Sequence, residues 1–305
     1  MDVPARPRKV RSSMMNAVHD LPLLVAHDEG FFRDEGLDVE ILRTPGSGQY
    51  SSDHRALRDD IFKRTLEASY EEGQCDQFRM CEWGIMKRAV ETNIAPNHRQ
   101  AKIVALGSAM SSFAIVTDPK LGLYEPEQLK HVEIGVSLFN GSHFTMLKML
   151  EGFLRREQIK WTSCGTHKER LEALKQGKLK AVSLQEPWIS VAEKQGCRVL
   201  IEAHSTRSEA AGDELDGPTL AKMFRAQARA ASAIQKKPEK YAHYLIEEAG
   251  GLIDLKDLKL SRFLNAPPTP YTRERFEDTY EWTLGWGLVP PGATYENTVD
   301  NRAWQ

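Results

Sequence analysis

Residues 171–188, LEALKQGKLKAVSLQEPW, repeat the pattern of residues 66–83, LEASYEEGQCDQFRMCEW. In both stretches a leucine-glutamate-alanine run leads to a glycine, and a glutamate, Glu82 or Glu186, stands nine residues beyond that glycine. Glycine suits the C-terminal cap of a helix because it adopts the left-handed conformation without strain. Each copy therefore predicts a helix, a short buried strand and a turn into another helix. A turn built twice indicates two halves of the chain that face each other.

The composition is that of an ordinary globular protein. Of 305 residues, 41% are hydrophobic and 28% are charged, and the length suggests about two domains. Forty-one lysines and arginines against 43 acidic residues leave a net charge of -2, so no basic field indicates a nucleic-acid partner. The apolar run at residues 21–26 is far shorter than the roughly 18 residues of a spanning helix. We therefore expect no direct membrane insertion.

The N-terminal residues and the cysteines bear on the compartment. Residues 1–13 carry four basic side chains but no apolar region follows, so no signal peptide is recognised. We expect a cytoplasmic protein, or a periplasmic one if a leader has already been removed. The cysteines, which lack a CxxC pair, are expected to be reduced thiols that bind no metal: Cys75, Cys81, Cys164 and Cys197.

Strand and helix patterns alternate over the first two thirds of the chain. This alternation predicts parallel sheets covered on both faces. After Gly217 the pattern becomes purely helical, and this tail is expected to pack on the first half. A long helix is predicted at residues 53–72. The predicted strands are residues 10–15, 37–42, 102–106, 113–117, 132–137, 179–184 and 198–201.

Three segments carry a family resemblance. Residues 29–40 (EGFFRDEGLDVE), the turn at residues 186–188 and the ending from Tyr271 to Tyr295 resemble the periplasmic-binding-protein-like family. That family includes nitrate-, sulfonate- and taurine-binding proteins and thiamine-pyrimidine proteins. The resemblance implies an α/β fold of type II, in which two α/β lobes enclose a central ligand cleft and the C-terminal tail is helical.

The resemblance also implies a division of the chain. Lobe 1 would comprise residues 8–110 plus 206–305, and lobe 2 residues 111–205. Two strands would cross between the lobes, near residues 108–113 and 203–205. Proteins of this architecture close by hinge motion when a ligand bridges both lobes.

Two turns contain candidate anion-binding residues. At residues 46–48, backbone N–H groups and a hydroxyl could hold an anion, although a tight glycine turn explains the sequence equally well. Residues 140–143 open a helix whose N-terminus presents unpaired N–H donors, and a plain N-cap by Asn140 or Ser142 is the alternative. The predicted ligand contacts in these turns are Ser47, Gly48, Asn140, Gly141, Ser142 and His143.

The first turn and the crossing contribute further candidates. The resemblance implies that Asn16 and His19 line the cleft from lobe 1. A histidine there could hydrogen-bond a ligand or act as an acid or base, but lone histidines more often cap or pack. Ser111 and Ser112 lie at the expected crossing. They too are candidate ligand contacts that could instead have a purely structural part.

The repeated turn supplies the remaining candidates. Glu82 and Glu186 could accept hydrogen bonds from a ligand or act as a paired acid and base, whereas the helix dipole alone also favours glutamate in a first turn. Trp188 could stack on a ligand or lie in the core. Cys81 is the candidate nucleophile because a helix N-terminus lowers a thiol pKa, yet free cysteines are commonly buried.

These residues support functions of different classes. The first is the binding of a small anionic or zwitterionic organic ligand, as in ABC-transporter substrate-binding proteins, without a cofactor and with a permease as partner if the chain is exported. The alternative is an intracellular, cofactor-independent lyase or hydrolase that uses Cys81 and Glu82 on a small organic acid. Aromatic sulfinate desulfinases have their nucleophilic cysteine where this chain has Ala17, which disfavours their mechanism. The third possible function is that of a ligand sensor, which would bind a ligand in the same cleft and report its presence to a partner protein.

Overall fold

The computed structural model describes residues 7–43, 62, 65–95 and 97–305, with the side chains at positions 65 and 66 left out. Ser47, Gly48 and most of the predicted helix at residues 53–72 lie outside the described residues. Within the described ranges the chain forms eight strands. They are β1 Arg8–Met14, β2 Leu37–Arg43, β3 Gln77–Cys81, β4 Lys102–Thr117, β5 Glu133–Val136, β6 Lys160–Ser163, β7 Ala181–Gln185 and β8 Arg198–Ala211.

Eleven α-helices lie within the same described ranges. They are α1 Ala17–Asp28, α2 Phe31–Asp34, α3 Thr65–Glu71, α4 Glu82–Ile94, α5 Gly141–Leu150, α6 His167–Lys175, α7 Trp188–Lys194, α8 Gly217–Lys236, α9 Ala242–Glu248, α10 Arg273–Gly285 and α11 Tyr295–Thr298. The repeated sequence pattern corresponds to α3-β3-α4 in one half and α6-β7-α7 in the other. The left-handed glycine follows the first helix of each copy, at Gly73 (φ 70°) and Gly177 (φ 70°).

The strands form one sheet in the order β2-β1-β3-β8-β4-β7-β5-β6. From either edge the order is the same: three parallel strands, then a long strand that crosses to the other half. The prediction of parallel sheets is confirmed within each half, but β8 is antiparallel to β3 and β4 is antiparallel to β7. The fold is therefore the expected two-lobed α/β arrangement with a helical C-terminal tail.

Strands β4 and β8 pair with each other from Lys102 opposite Ala211 to Thr117 opposite Arg198. The sequence prediction of separate strands at residues 102–106 and 113–117 is therefore wrong, because one strand runs through both. Gly107 and Ser108, which lie between the two predicted strands, are where the register shifts between Leu106 and Met110. The predicted strand at residues 198–201 was likewise too short.

The helical tail contacts both halves of the molecule. Arg225 and Arg229 of α8 pair with Glu35 and Asp34, at the end of α2. Further along, Arg262 pairs with Glu186, Glu193 and Glu202.

A buried ion cluster fixes α1 to the sheet. Arg79 on β3 donates to Asp20 at 2.8 Å and to Glu209 at 3.1 Å, and all three side chains are almost fully buried. Burial raises the pKa of both carboxyls, and the Arg79 guanidinium opposes that rise. The single guanidinium of Arg79 therefore compensates the charges of two buried carboxylates, and removing it would leave both charges without a partner.

We expect Arg79→Met to lower the free energy of unfolding by about 3–5 kcal/mol at pH 7, because Asp20 and Glu209 would lose their counter-charge. The loss should shrink at low pH, where both carboxyls can be protonated. Urea denaturation measures both effects. The control is Lys9→Met, at an exposed lysine, where a change of about 0.5 kcal/mol or less is expected. Equal losses in the two variants would contradict the assignment.

Candidate functional site

The crossing strands place an arginine and a phenylalanine at equivalent positions in the two halves. Arg207 of β8 stands opposite Cys81, the last residue of β3, and Phe113 of β4 stands opposite Gln185, the last residue of β7. Cys81 and Gln185 correspond in the sequence repeat, each lying just before the repeated glutamate. Arg207 and Phe113 therefore mark where the two sets of parallel strands end and face each other.

Arg207 is buried, and it has no counter-ion among the described residues. Its side chain belongs to a residue that is 1% exposed, Nε donates to the Ser111 hydroxyl at 3.2 Å, and Nη2 has no hydrogen-bond partner among the described residues. Burial lowers the pKa of Arg207 well below its usual value, and no carboxylate of the described residues acts against that shift. Because a guanidinium stays charged in proteins, this is an isolated buried positive charge.

Other buried donors lie near this guanidinium. Ser111, Phe113 and Gln185 share one face of the sheet, since alternate residues of a strand point the same way. The side chains of Ser111 and Gln185 are diagonal neighbours, roughly 7–8 Å apart. The amide nitrogen of Gln185 is buried without a partner in the described part of the chain, and so is Nε2 of His19 on α1. Gln185 therefore contributes a buried donor to the face of the sheet that carries Ser111 and Arg207.

The N-terminus of α5 packs on this same face. A side chain at Gly141 would meet the Phe113 ring at 2.6 Å, so only glycine allows the helix to approach the crossing strand so closely. Asn140 caps the helix by accepting from the Ser142 N–H at 3.0 Å. The buried Ser142 hydroxyl also receives Arg170 Nη1 at 3.1 Å. The predicted N-cap at Asn140 is thus observed, while a ligand contact by this turn stays a prediction.

His143 and the preceding turn hold each other. Phe139 has a positive φ of 54°, which is uncommon for a non-glycine residue, and its backbone N–H donates to Nδ1 of His143 at 3.3 Å. His143 is itself buried against the rings of Phe144 and Trp161. These contacts give His143 a structural part in positioning the start of α5.

A narrow crevice separates the two halves beside this region. Asn16 and Glu248 line it from one side, and the segments at residues 166–168 and 185–188 line it from the other. It has room for about one water molecule, so an organic ligand would need the halves to move apart. Of the sequence-predicted residues, the crevice brings together Asn16, Glu186 and Trp188.

His167 is a neutral hydrogen-bonding group in this crevice. Its Nδ1 accepts from Arg170 Nη2 at 2.7 Å and lies 3.4 Å from the backbone N–H of Gln185. Burial, together with the Arg170 charge, lowers the pKa of His167 well below its usual value. With Nδ1 as the acceptor, the ring proton is on Nε2, which makes His167 a donor.

The repeated glutamates are both neutralised by arginines of the tail. Glu82 accepts from Arg275, Tyr271, Thr279 and Thr206, and its carboxylate is buried. Glu186 accepts from Arg262 at 2.8 Å and from the Ser190 hydroxyl at 2.9 Å. The structure thus places the two glutamates in separate ion clusters, and their observed partners are all protein groups.

The ion cluster of Glu82 lies on the opposite side of β8 from Arg207. Thr206, which contacts Glu82, precedes Arg207 in the strand, and neighbouring strand residues point to opposite faces. On β4, Ser111 and Ser112 likewise point to opposite faces. Ser111 contacts Arg207, whereas the Ser112 hydroxyl donates to the Arg262 carbonyl at 3.3 Å. Cys81 is 1% exposed, so a substrate could reach its thiol only after a rearrangement.

Several residues of this region were not predicted from the sequence: Gln185, His167, Arg207, Glu248 and Arg262. The signal for Gln185 was present in the repeated turn, one position before the predicted Glu186. No comparable signal marked Arg207, because it lies beyond both the strand predicted at residues 198–201 and the crossing expected near residues 203–205. Among the described residues there is no group of three or more acidic, histidine or cysteine side chains arranged to hold a metal ion. No helix in the described ranges is both long and apolar enough to cross a membrane.

The fold is shared by solved structures of low sequence identity. The alkanesulfonate-binding protein SsuA from Xanthomonas axonopodis pv. citri, bound to MOPS, is 15% identical with a TM-score of 0.70 over 94% of this chain and 96% of that one. The periplasmic nitrate-binding protein NrtA from Synechocystis PCC 6803 is 13% identical, with a TM-score of 0.70 over 98% and 87%. The desulfurization enzyme DSZB is 11% identical, with a TM-score of 0.63 over 97% of both chains.

These similarities confirm the periplasmic-binding-protein fold expected from the sequence. No protein-family model matches the chain, and no curated protein matches it by sequence. At such low identities the likeness concerns the fold alone, so the function has to be argued from the residues of the crevice.

We expect Arg207→Met to leave the free energy of unfolding unchanged or to raise it by about 1–2 kcal/mol, because the substitution removes a buried charge that has no counter-ion. The same substitution at Arg79, on the neighbouring strand, should be strongly destabilising. Urea denaturation of both variants without ligand makes the comparison. A loss of several kcal/mol in Arg207→Met would show that the guanidinium already has an internal partner.

The two repeated glutamates should respond oppositely to pH. Burial acts to raise the pKa of Glu82, but Arg275 and two hydroxyls outweigh it and leave the pKa below its usual value. For Glu186, burial prevails over Arg262 and leaves the pKa raised. A depressed folded-state pKa contributes stability above the unfolded pKa of about 4.3, and this stability is lost as the pH falls.

The destabilisation caused by Glu82→Gln should therefore shrink between pH 6 and pH 3, whereas that caused by Glu186→Gln should grow over the same range. Melting temperatures of both variants and of the unmodified protein, measured across this range, test the expectation. Parallel pH profiles for the two variants would contradict it.

Proposed function

We propose that the protein binds a small organic anion between its two lobes, and that the anion is the missing counter-ion of Arg207. The observation that carries the proposal is the isolated guanidinium at the crossing of the lobes. A charge buried without a partner costs several kcal/mol, and a bound anion would offset that cost. Three other buried arginines, Arg79, Arg88 and Arg262, each pair with a carboxylate, whereas no such pair of Arg207 is found among the described residues.

The neighbouring groups support an anion rather than a cation next to Arg207. The amide of Gln185 is a donor without an acceptor in the described residues, and the N-terminus of α5, a helix of ten residues, lies on the same face. The helix dipole favours negative charge at that end. Asn140, Gly141 and Ser142 retain their predicted place in the ligand site on this basis, and Ser111 joins it beside the guanidinium. His19 stays a predicted contact because its buried Nε2 has no partner in the described residues.

The same proposal includes the division into lobes and the closing motion. Lobe 1 would be residues 8–110 plus 206–305 and lobe 2 residues 111–205, with the register shift between Leu106 and Met110 lying near the first crossing. A ligand that bridges both walls of the crevice would favour the closed form. The neighbours' transport roles extend the proposal to a periplasmic setting and a permease partner, both of which stay predictions.

The decisive experiment measures anion binding by titration calorimetry and by thermal shift. The probes are MOPS, propanesulfonate, 3-aminopropanesulfonate, butanoate and 4-aminobutanoate. At least one probe should bind and raise the melting temperature, and Arg207→Met should weaken that binding by about 30-fold or more, because the anion loses a buried partner.

The matched control for this experiment is Arg225→Met, at an exposed arginine of α8, which should bind as the unmodified protein does. Absence of binding across the panel, or equal binding by Arg207→Met, would overturn the proposal. Mass spectrometry of the incubated probes distinguishes binding from turnover. Product beyond one equivalent that disappears in Glu82→Gln would favour the alternative enzyme instead.

A further inference from the structure

Glu248 presents a carboxylate to the crevice. It is the last residue of α9 and lines the crevice from the same side as Asn16. Its Oε2 accepts from the Ala17 N–H at a long 3.4 Å, and no ion pair of Glu248 is found in the described part of the chain. The side chain is half-buried, so this charge is only partly solvated.

The other charged groups near the crevice are already engaged. The carboxylate of Glu186 is paired with Arg262 at 2.8 Å. Lys168 lies on the opposite wall, where its ammonium is largely exposed and 4.0 Å from Glu172 of its own helix. His167 is held neutral, since burial and Arg170 lower its pKa well below the usual value. Glu248 is therefore the carboxylate that faces the crevice with unused acceptor capacity.

Burial raises the pKa of Glu248, and among the described residues the long contact with the Ala17 N–H is the one hydrogen bond that opposes the rise. The nearby Asp20 charge adds to the rise, while Arg43 acts against it from a distance too great for an ion pair. A cation placed in the crevice would relieve this unfavourable environment. The site thus has an unpaired positive charge at Arg207 and a half-buried negative charge across the crevice from lobe 2.

We infer that Glu248 binds a cationic amine of the ligand, so that the preferred ligand is a zwitterion with its anionic end at Arg207 and its amine at Glu248. The inference rests on the proposed function and specifies its ligand class. Gln185 connects the two ends of this site, because it both lines the crevice and shares the face of the sheet that carries Ser111 and Arg207.

The test compares two probes that differ only in the amine, 3-aminopropanesulfonate and propanesulfonate, by titration calorimetry at pH 7. The unmodified protein should bind the amino compound at least about tenfold more tightly, the strength of one hydrogen-bonded charged contact. In Glu248→Gln this preference should fall to about twofold or less. The affinity for propanesulfonate should be unchanged or higher in that variant, because the substitution removes a repulsive charge.

Glu247→Gln is the matched control, since it changes an exposed glutamate next to Glu248 on the same helix, and it should retain the preference. The comparison of probes on the unmodified protein needs no variant, so it remains decisive if Glu248→Gln does not fold. Equal binding of both probes, or tighter binding of propanesulfonate, would overturn the zwitterion inference while the proposed anion binding stands. Absence of binding by both would instead count against the proposed function itself.

Discussion

The structure depends on the pairing of β4 with β8 along almost their whole lengths. These antiparallel strands belong to both halves, since β3 pairs with one end of β8 and β7 pairs with one end of β4. The pairing therefore fixes where the two sets of parallel strands end. Ligand sites of open α/β sheets lie beyond the carboxyl ends of the strands. In this protein the carboxyl ends of β3 and β7 meet where β4 and β8 cross, so polar and charged side chains are concentrated there.

The two faces of the crossing strands differ in how their charges are compensated. Thr206, Ser112 and Glu202 contact the clusters around Arg275 and Arg262, where every buried carboxylate has a basic partner. Arg207 lies on the opposite face of β8 from Thr206, and its Nε donates to the hydroxyl of Ser111. Buried charge is costly in either case, but in the second arrangement no described residue offsets the cost. On the proposed function, stability and binding depend on opposite faces of the same two strands.

The sequence predicted the architecture well because its strongest signals are local. The repeated glycine cap and buried strand specify their own conformation, and the predicted strand at residues 37–42 differs from β2 by only one residue. The site was predicted less well. Glu82 and Glu186 stood out by repetition, yet their arginine partners lie 193 and 76 residues away in the chain. Residues 202–211, EAHSTRSEAA, lack the apolar alternation of a half-buried strand, which hid the environment of Arg207.

The positions of the ion clusters constrain how the crevice can open. Arg262 donates to Glu202 at 2.7 Å and its carbonyl receives Ser112, so this cluster sits beside the crossing strands, where a hinge motion produces the smallest displacement. It can therefore persist while the lobes separate. Contacts farther out, such as Trp282 Nε1 with Glu151 at 2.8 Å, join α10 to the end of α5 at the surface and must lengthen. Exposed contacts of this kind contribute little to stability, so opening costs less than the number of interlobe contacts suggests. A low cost of opening is what the proposed closure around a ligand requires.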